Sequence, residues 1–351
     1  MGQLTAQQLE NAANAAQDFH DKKGKVFSQV IQDKPLAAAL KAGQETFPGG
    51  KEFIDVKVKG VYDTSFQGFS GDDTVTYGNP ANIKKAYWPW KELHGGIKVT
   101  LTELKIDGIT INDTAVGKGE NYHSDRDATM LANMFKDKLE DMDEGLARSF
   151  QSISWQDGTQ DASVFPGIRS FIVNDPTTAT IVGGLDQSLN TWWRNRASLA
   201  LSTADAATQV VVAKLQKEMR QLRRYGNPKH KMLAGSDFME WFEKELRAKG
   251  NYTLEGWSKG PNGGRIDASV ADLAFKGVAI DYDPSLDDLG LAKYLYVLDM
   301  NAIKLKVMEG EDMKMHSPAR PADKYVLYRA KTWTGGLTCR QRNTSGVYSI
   351  A

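Results

Sequence analysis

The chain has 351 residues, 41% hydrophobic and 25% charged, which suits a soluble globular protein of one large or two modest domains. Its 44 Lys and Arg balance 44 Asp and Glu, without the basic excess that marks phosphate-binding proteins, so only a local patch stays open for nucleic acid. No stretch approaches the roughly 20 apolar residues of a bilayer span. The N-terminus lacks the basic region and apolar run of a secretory signal. A single cysteine, Cys339, excludes an internal disulfide and a cysteine-based zinc site, and suits a reducing cytoplasm.

Residues 1–47 read as a polar arm with short helical pieces, too poor in large apolar side chains to stand alone. From 48 to 94 the texture changes. Ile54, Val56 and Val58 alternate with Asp55, Lys57 and Lys59, the pattern of a half-exposed strand. The segment Ser70-Gly71-Asp72-Asp73 is a turn signal, and a second strand-like stretch runs to Trp90. The segment therefore reads as a long two-stranded excursion with a polar tip. A hairpin of this length is marginal alone, so it is expected to lie on a partner, with Phe66, Phe69, Tyr77, Trp88 and Trp90 as candidate contacts between subunits.

Residues 97–112 alternate again as one or two strands. A helix then begins after Ser124, a capping residue with Asp125 and Asp127 in the first turn. Leu131, Phe135, Leu139, Met142, Leu146, Phe150 and Ile153 recur every three or four residues. They form one apolar stripe on a helix of about 28 residues, roughly 40 Å long. Residues 155–200 are loop-rich. A second helix is expected over Ala204–Tyr225, ended by Gly226-Asn227-Pro228, then a short strand, then a third helix capped by Ser236 and closed by Gly250. The last sixty residues look β-rich.

Few motifs of chemistry appear. The five histidines are scattered without metal-ligand spacing, and no phosphate-binding glycine loop or nucleophile elbow is present. Asp281, Asp283, Ser285 and Asp287 alternate as in a calcium loop, but Leu286 replaces the turn glycine and Ala292 the bidentate glutamate, so a solvated acidic turn is expected. Trp88, Trp90, Trp192, Trp193, Trp241 and Trp257 would serve a sugar platform, though core or interface use is favoured. Lys214, Lys217, Arg220, Arg223 and Arg224 spread opposite Val211, Leu215 and Leu222, as a solvated face does; the sharper alternative is contact with acidic groups of a neighbouring subunit. No cofactor or metal is expected, and no catalytic residue stands out.

Taken in order, these pieces resemble the major capsid proteins of tailed bacteriophages, those with the HK97-type fold. Order and texture carry the resemblance, with FPGIRSFI, IVGGLDQSLNTWWRNR and the closing GLTCRQRNTSGVYSI as its local marks. It implies an α+β fold: an N-terminal arm (1–47), an extended β-hairpin loop (48–94), a peripheral domain of spine helix and strands (95–154 with 294–351), and a mixed α/β axial domain (155–293). It also implies a non-enzymatic shell protein that self-assembles as pentamers and hexamers around double-stranded DNA. The expected partners are further copies, a portal, a separate scaffolding protein (no fused scaffolding segment precedes the arm) and non-specifically packaged DNA, with no membrane. Assembly in the host cytoplasm and residence in the virion follow. Lys84 and Lys85 lie in the loop, but no motif identifies an acceptor for a cross-link. A nanocompartment shell of the same fold is the nearest alternative, and a tryptophan-rich carbohydrate-binding protein the alternative from another class.

Overall fold

The computed structural model describes residues 4–5, 32–62, 64–78, 82–100, 102–103, 111–112, 125–248, 273–316 and 326–351, and of 4–5, 111–112 and 125–137 the backbone alone. The helical pieces expected in the arm before residue 32, the Ser124 cap, Gly250 and Trp257 lie outside them, as do the side chains of Leu131 and Phe135. The chain divides into two units, one of residues 1–32, 92–150 and 310–334, the other of 33–91, 151–309 and 335–351.

In the first unit the long helix runs Asp125–Trp155, 31 residues, leaving this unit after Phe150. Where its side chains are described, Leu139 (0% exposed), Met142 and Phe150 are buried, and Leu146 is half-buried. Phe150 meets Trp333 edge-on at 5.2 Å, and Lys331 bonds Asp143 at 2.7 Å. The strand Lys91–Thr100 pairs with Val326–Cys339, whose residues 330–332 also pair antiparallel with Lys314–His316. A Cβ at Gly95 would lie 2.0 Å from a Leu146 methyl, so a larger residue here would have to push that side chain aside. One or two strands are expected over 97–112, of which 101 and 104–110 lie outside the described residues. The first ends at Thr100, where Thr100 N–H donates to the Glu103 carboxylate at 3.0 Å and Glu103 N–H to the Thr100 hydroxyl at 3.3 Å. Ile111–Asn112 pairs instead with Leu4–Thr5.

The second unit centres on a six-stranded sheet. Its order is Ala274–Phe275, Val278–Tyr282, His230–Ala234, Tyr294–Asp299, Gly346–Ile350, Arg196–Leu201. The boundary expected between 293 and 294 runs through this sheet, because Leu233 pairs with Tyr296 and Tyr296 with Val347. Helices Val210–Leu222 and Ser236–Ala248 cover it, with Val211, Leu215, Met219, Phe238 and Phe242 in the core. The first of these helices starts six residues later than expected. Asp205 accepts Ala207 N–H and closes a short 3₁₀ turn, and Gln209 sits in the left-handed region at φ 49°. The N-terminus of that helix is satisfied by a buried carboxylate: Glu245 accepts Val211 N–H and Val212 N–H at 3.1 and 3.0 Å. Helix Pro35–Ala42 inserts Leu36 and Leu40 into the core, so this end of the arm is part of the fold. Ile303–Met308 pairs parallel with Glu45–Phe47 and antiparallel with Gly335–Cys339. Gly335-Gly336 does not break that strand; a Cβ at Gly336 would lie 2.5 Å from the Pro89 carbonyl, so glycine permits a close backbone crossing.

Candidate interaction surface

The extended excursion is a hairpin in which Phe53–Lys59 pairs antiparallel with Ile83–Pro89, from Phe53↔Pro89 to Lys59↔Ile83. One face is buried through Val56, Val58, Ala86 and Trp88, while Asp55, Lys57 and Lys59 face water, as the alternation requires.

Its root is clamped. Trp88 is 4% exposed and packs edge-on against Phe171 at 5.5 Å. A reverse turn at Gly183-Gly184 covers it: Gly183 has φ +61°, its carbonyl accepts Tyr87 N–H at 3.0 Å, and a Cβ there would stand 3.0 Å from the indole. Lys84 Nζ donates to Asn190 Oδ1 at 2.6 Å. Beneath the turn lies Arg342, fully buried, with Nε donating to Phe171 O and Nη2 to Gln187 Oε1 and Asn195 Oδ1. Burial pulls its pKa down to about 10. Trp88 is therefore a core residue of its own subunit, which corrects its expected place among inter-subunit contacts. Trp90 is half-buried; its Nε1 donates to Lys51 O at 2.8 Å and its ring lies 6.4 Å from Phe47.

Beyond Lys59 the character reverses. Every described residue from 61 to 78 is exposed, including Phe66, Tyr77 (94%), Tyr62 (78%) and Phe69 (70%). Local polar bonds shape the tip: Ser70 N–H donates to Asp73 Oδ2 and Asp73 N–H to Ser70 O, both at 2.8 Å, and Thr76 bonds Gln67. Where the loop leaves the strands, a Cβ at Gly60 would lie 1.9 Å from the Trp192 ring, so only glycine lets that indole lie on the backbone. The loop thus gathers four exposed aromatic rings in one stretch, where a free surface usually carries them singly.

The remaining candidates fall elsewhere. The 281–287 segment is no solvated acidic turn. Asp283 is fully buried and caps helix Pro284–Asp288; Oδ2 accepts from Gln151 and Trp155 at 2.7 and 2.8 Å, and Oδ1 from Ser285 N–H at 3.0 Å. Burial pushes its carboxyl above the usual aspartate range, against the pull of those bonds. An acid immediately before a proline at a helix start was the signal for this role. Asp281 pairs with Lys231, and Asp287 accepts from Tyr282 and from Ser236 N–H. The described tryptophans form no common platform: Trp88 and Trp193 are buried, Trp192 is half-buried, and Trp241 donates to Glu245. On helix Val210–Leu222 Lys217 and Arg220 are exposed, as are Arg223 and Arg224 just beyond its end, while Lys214 is half-buried beside Glu218 at 3.7 Å. Glu218 on the apolar stripe is buried and accepts from Arg196 Nε and Nη2 at 2.7 and 3.0 Å. Its place in the Val211–Leu215–Leu222 register could have shown that. Among the described residues no group of three or more His, Cys, Asp or Glu could hold a metal ion, and no helix is long and apolar enough to cross a membrane.

No family model matches the chain, and no curated protein sequence matches it. Solved structures do match along nearly its whole length. The capsid asymmetric unit of cyanophage A-1(L) is 14% identical, with a TM-score of 0.62, over 93% of this chain and 95% of that one. The capsid of cyanophage P-SCSP1u is 13% identical, with a TM-score of 0.56, over 93% and 91%. The capsid of Myoviridae phage XM1 is 11% identical, with a TM-score of 0.53, over 94% and 97%. The chain thus has the mixed helix-and-sheet fold of tailed-phage capsid proteins.

Proposed function

We propose that the chain is the major capsid protein of a tailed bacteriophage, a non-enzymatic subunit that self-assembles into an icosahedral shell around double-stranded DNA. The observation that carries this is the hairpin: a root fixed in the subunit core and a loop whose Phe66, Phe69 and Tyr77 have nothing of their own subunit to bury them. Ordinary monomers leave such aromatics exposed singly; a shell covers them with the next copy. The shared fold with phage capsids supports the same reading.

On this reading residues 1–47 form the arm, 48–94 the extended loop and Asp125–Trp155 the spine of a peripheral domain. The axial domain of 155–293 gains Tyr294–Asp299 and Gly346–Ile350, which complete its sheet. A portal and a separate scaffolding protein are the other partners, DNA is held without sequence preference, and the site of residence is the virion after assembly in the host cytoplasm. Equal numbers of acidic and basic residues let identical copies pack without long-range repulsion.

The test is sedimentation and electron microscopy of purified protein across salt and scaffold conditions. Closed shells with five- and six-fold clusters are expected. A compact monomer under every condition would overturn the reading, and shells filled with a protein cargo from the native source would assign a nanocompartment.

A further inference from the structure

Beside the hairpin root lies a cleft of about 610 Å³, within the roughly 300–1,000 Å³ of sites that hold a ligand's worth of side chains. Phe47, Pro48, Phe53 and Ile54 give it an apolar lining, and Lys51, Lys57, Lys306 and Arg340 a cationic one. Two carboxylates answer these cations: Asp55 pairs with Lys51 at 3.0 Å, and Glu45 with Lys306 and with Arg340. Four positive charges against two negative leave the cleft basic in a chain whose net charge is zero.

The exposed loop is its chemical complement. Residues 61–78 carry Asp63, Asp72 and Asp73 with no lysine or arginine, interleaved with Tyr62, Phe66, Phe69 and Tyr77. The loop leaves the strands at the Lys59↔Ile83 end, while Phe53 pairs with Pro89 at the other, six residues and about 20 Å along the strand at roughly 3.3 Å per residue. None of the described loop residues lines the cleft.

We infer that residues 61–78 of one copy seat in this cleft on a second copy, aromatic rings against Phe47 and Phe53 and the Asp72-Asp73 tip against Lys57 and Arg340. This rests on the shell reading and names the surface that receives the loop. Burial of the rings supplies attraction without direction; the charge match sets which way the loop lies.

A double variant, Lys57→Cys with Asp72→Cys, tests the seat directly. Native Cys339 is fully buried and stays silent. Oxidised particles of the double variant should run as a ladder of covalent multimers on a non-reducing gel and collapse to monomer with reductant, while each single variant gives no ladder. A charge swap is the second measurement. Lys57→Glu with Arg340→Glu, or Asp72→Lys with Asp73→Lys, should each lower particle yield by about tenfold, the factor that one missing charge-assisted contact of roughly 1.4 kcal/mol gives. Combining all four should restore most of the yield. Unmodified protein that forms particles, with no ladder and no rescue, would overturn the inference and leave the shell reading standing. Unmodified protein that never forms particles would overturn both.

Discussion

At Asp283 the chain places a carboxylate out of reach of water and brings three donors to it, Gln151, Trp155 and the Ser285 backbone. Removing an acceptor on which buried donors converge costs more than forming it contributed, because each donor is left without water or partner. Asp283→Ala should therefore cost about 2–4 kcal/mol in urea unfolding of the subunit. The sign of the pH dependence follows from its raised pKa. From the ordinary value of 3.8 upward, the unfolded chain has released a proton that the folded chain still holds. Stability attributable to this group thus falls as pH rises through that window and is fullest below it. Unfolding of wild type beside Asp283→Asn, which carries no such proton, should show the wild type losing ground over that interval; a gap that widens instead would give the carboxyl a lowered pKa. Gly183 poses a backbone question of the same kind. At φ +61° and 3.0 Å from the Trp88 ring, Gly183→Ala should cost about 1–3 kcal/mol, read as a lowered Tm.

Among elements, the hairpin and the long helix make opposite demands on their apolar groups. Leu139 on the helix has no exposed surface, so Leu139→Asp buries an unpaired charge and should cost about 3–5 kcal/mol or abolish soluble expression. A normally folded Leu139→Asp protein would put the buried face elsewhere. Phe66→Ser with Phe69→Ser should leave the melting temperature unchanged and reduce particle yield, each copy losing about 1–3 kcal/mol of contact per ring. A collapsed melting temperature would place those rings in the subunit core. Both elements were legible as patterns, a period of two over Ile54–Lys59 and of three or four over Leu139–Phe150, because each exposes one face to water. The direction of Trp88 was less so: a large aromatic suits core and interface alike, and only its register with Ala86 and opposite Ile54 shows that it turns inward. The helix start at Val210 escaped because Gln209 adopts a left-handed conformation that its type does not announce. The Val326–Cys339 strand runs unbroken through Gly335-Gly336, where a neighbouring backbone needs the room at Gly336. The basic cleft escaped altogether, since Phe47, Lys306 and Arg340 meet only in the folded chain.

For the molecule as a whole, stability should depend on packing without chemical staples. Cys339 is fully buried, its thiol bonded to Gln341 O at 3.4 Å and its pKa pushed up to about 12 by desolvation. A thiol reagent should leave it unlabelled in native buffer and modify it only in denaturant, as read by mass spectrometry. Labelling at the rate of a free cysteine would mean the strand opens readily. The six-stranded sheet sets a further condition. Its strand Gly346–Ile350, every residue buried, lies between Tyr294–Asp299 and Arg196–Leu201, and it follows both in the chain. A ribosome working from the N-terminus therefore delivers an interior strand after all its neighbours, and until then two edges of the sheet stand open. The hairpin, whose strands are close in sequence, can pair long before. Translation that stops between Pro89 and Gly346 yields a chain with its hairpin formed and its sheet unclosed, a substrate for proteases before it can meet another copy.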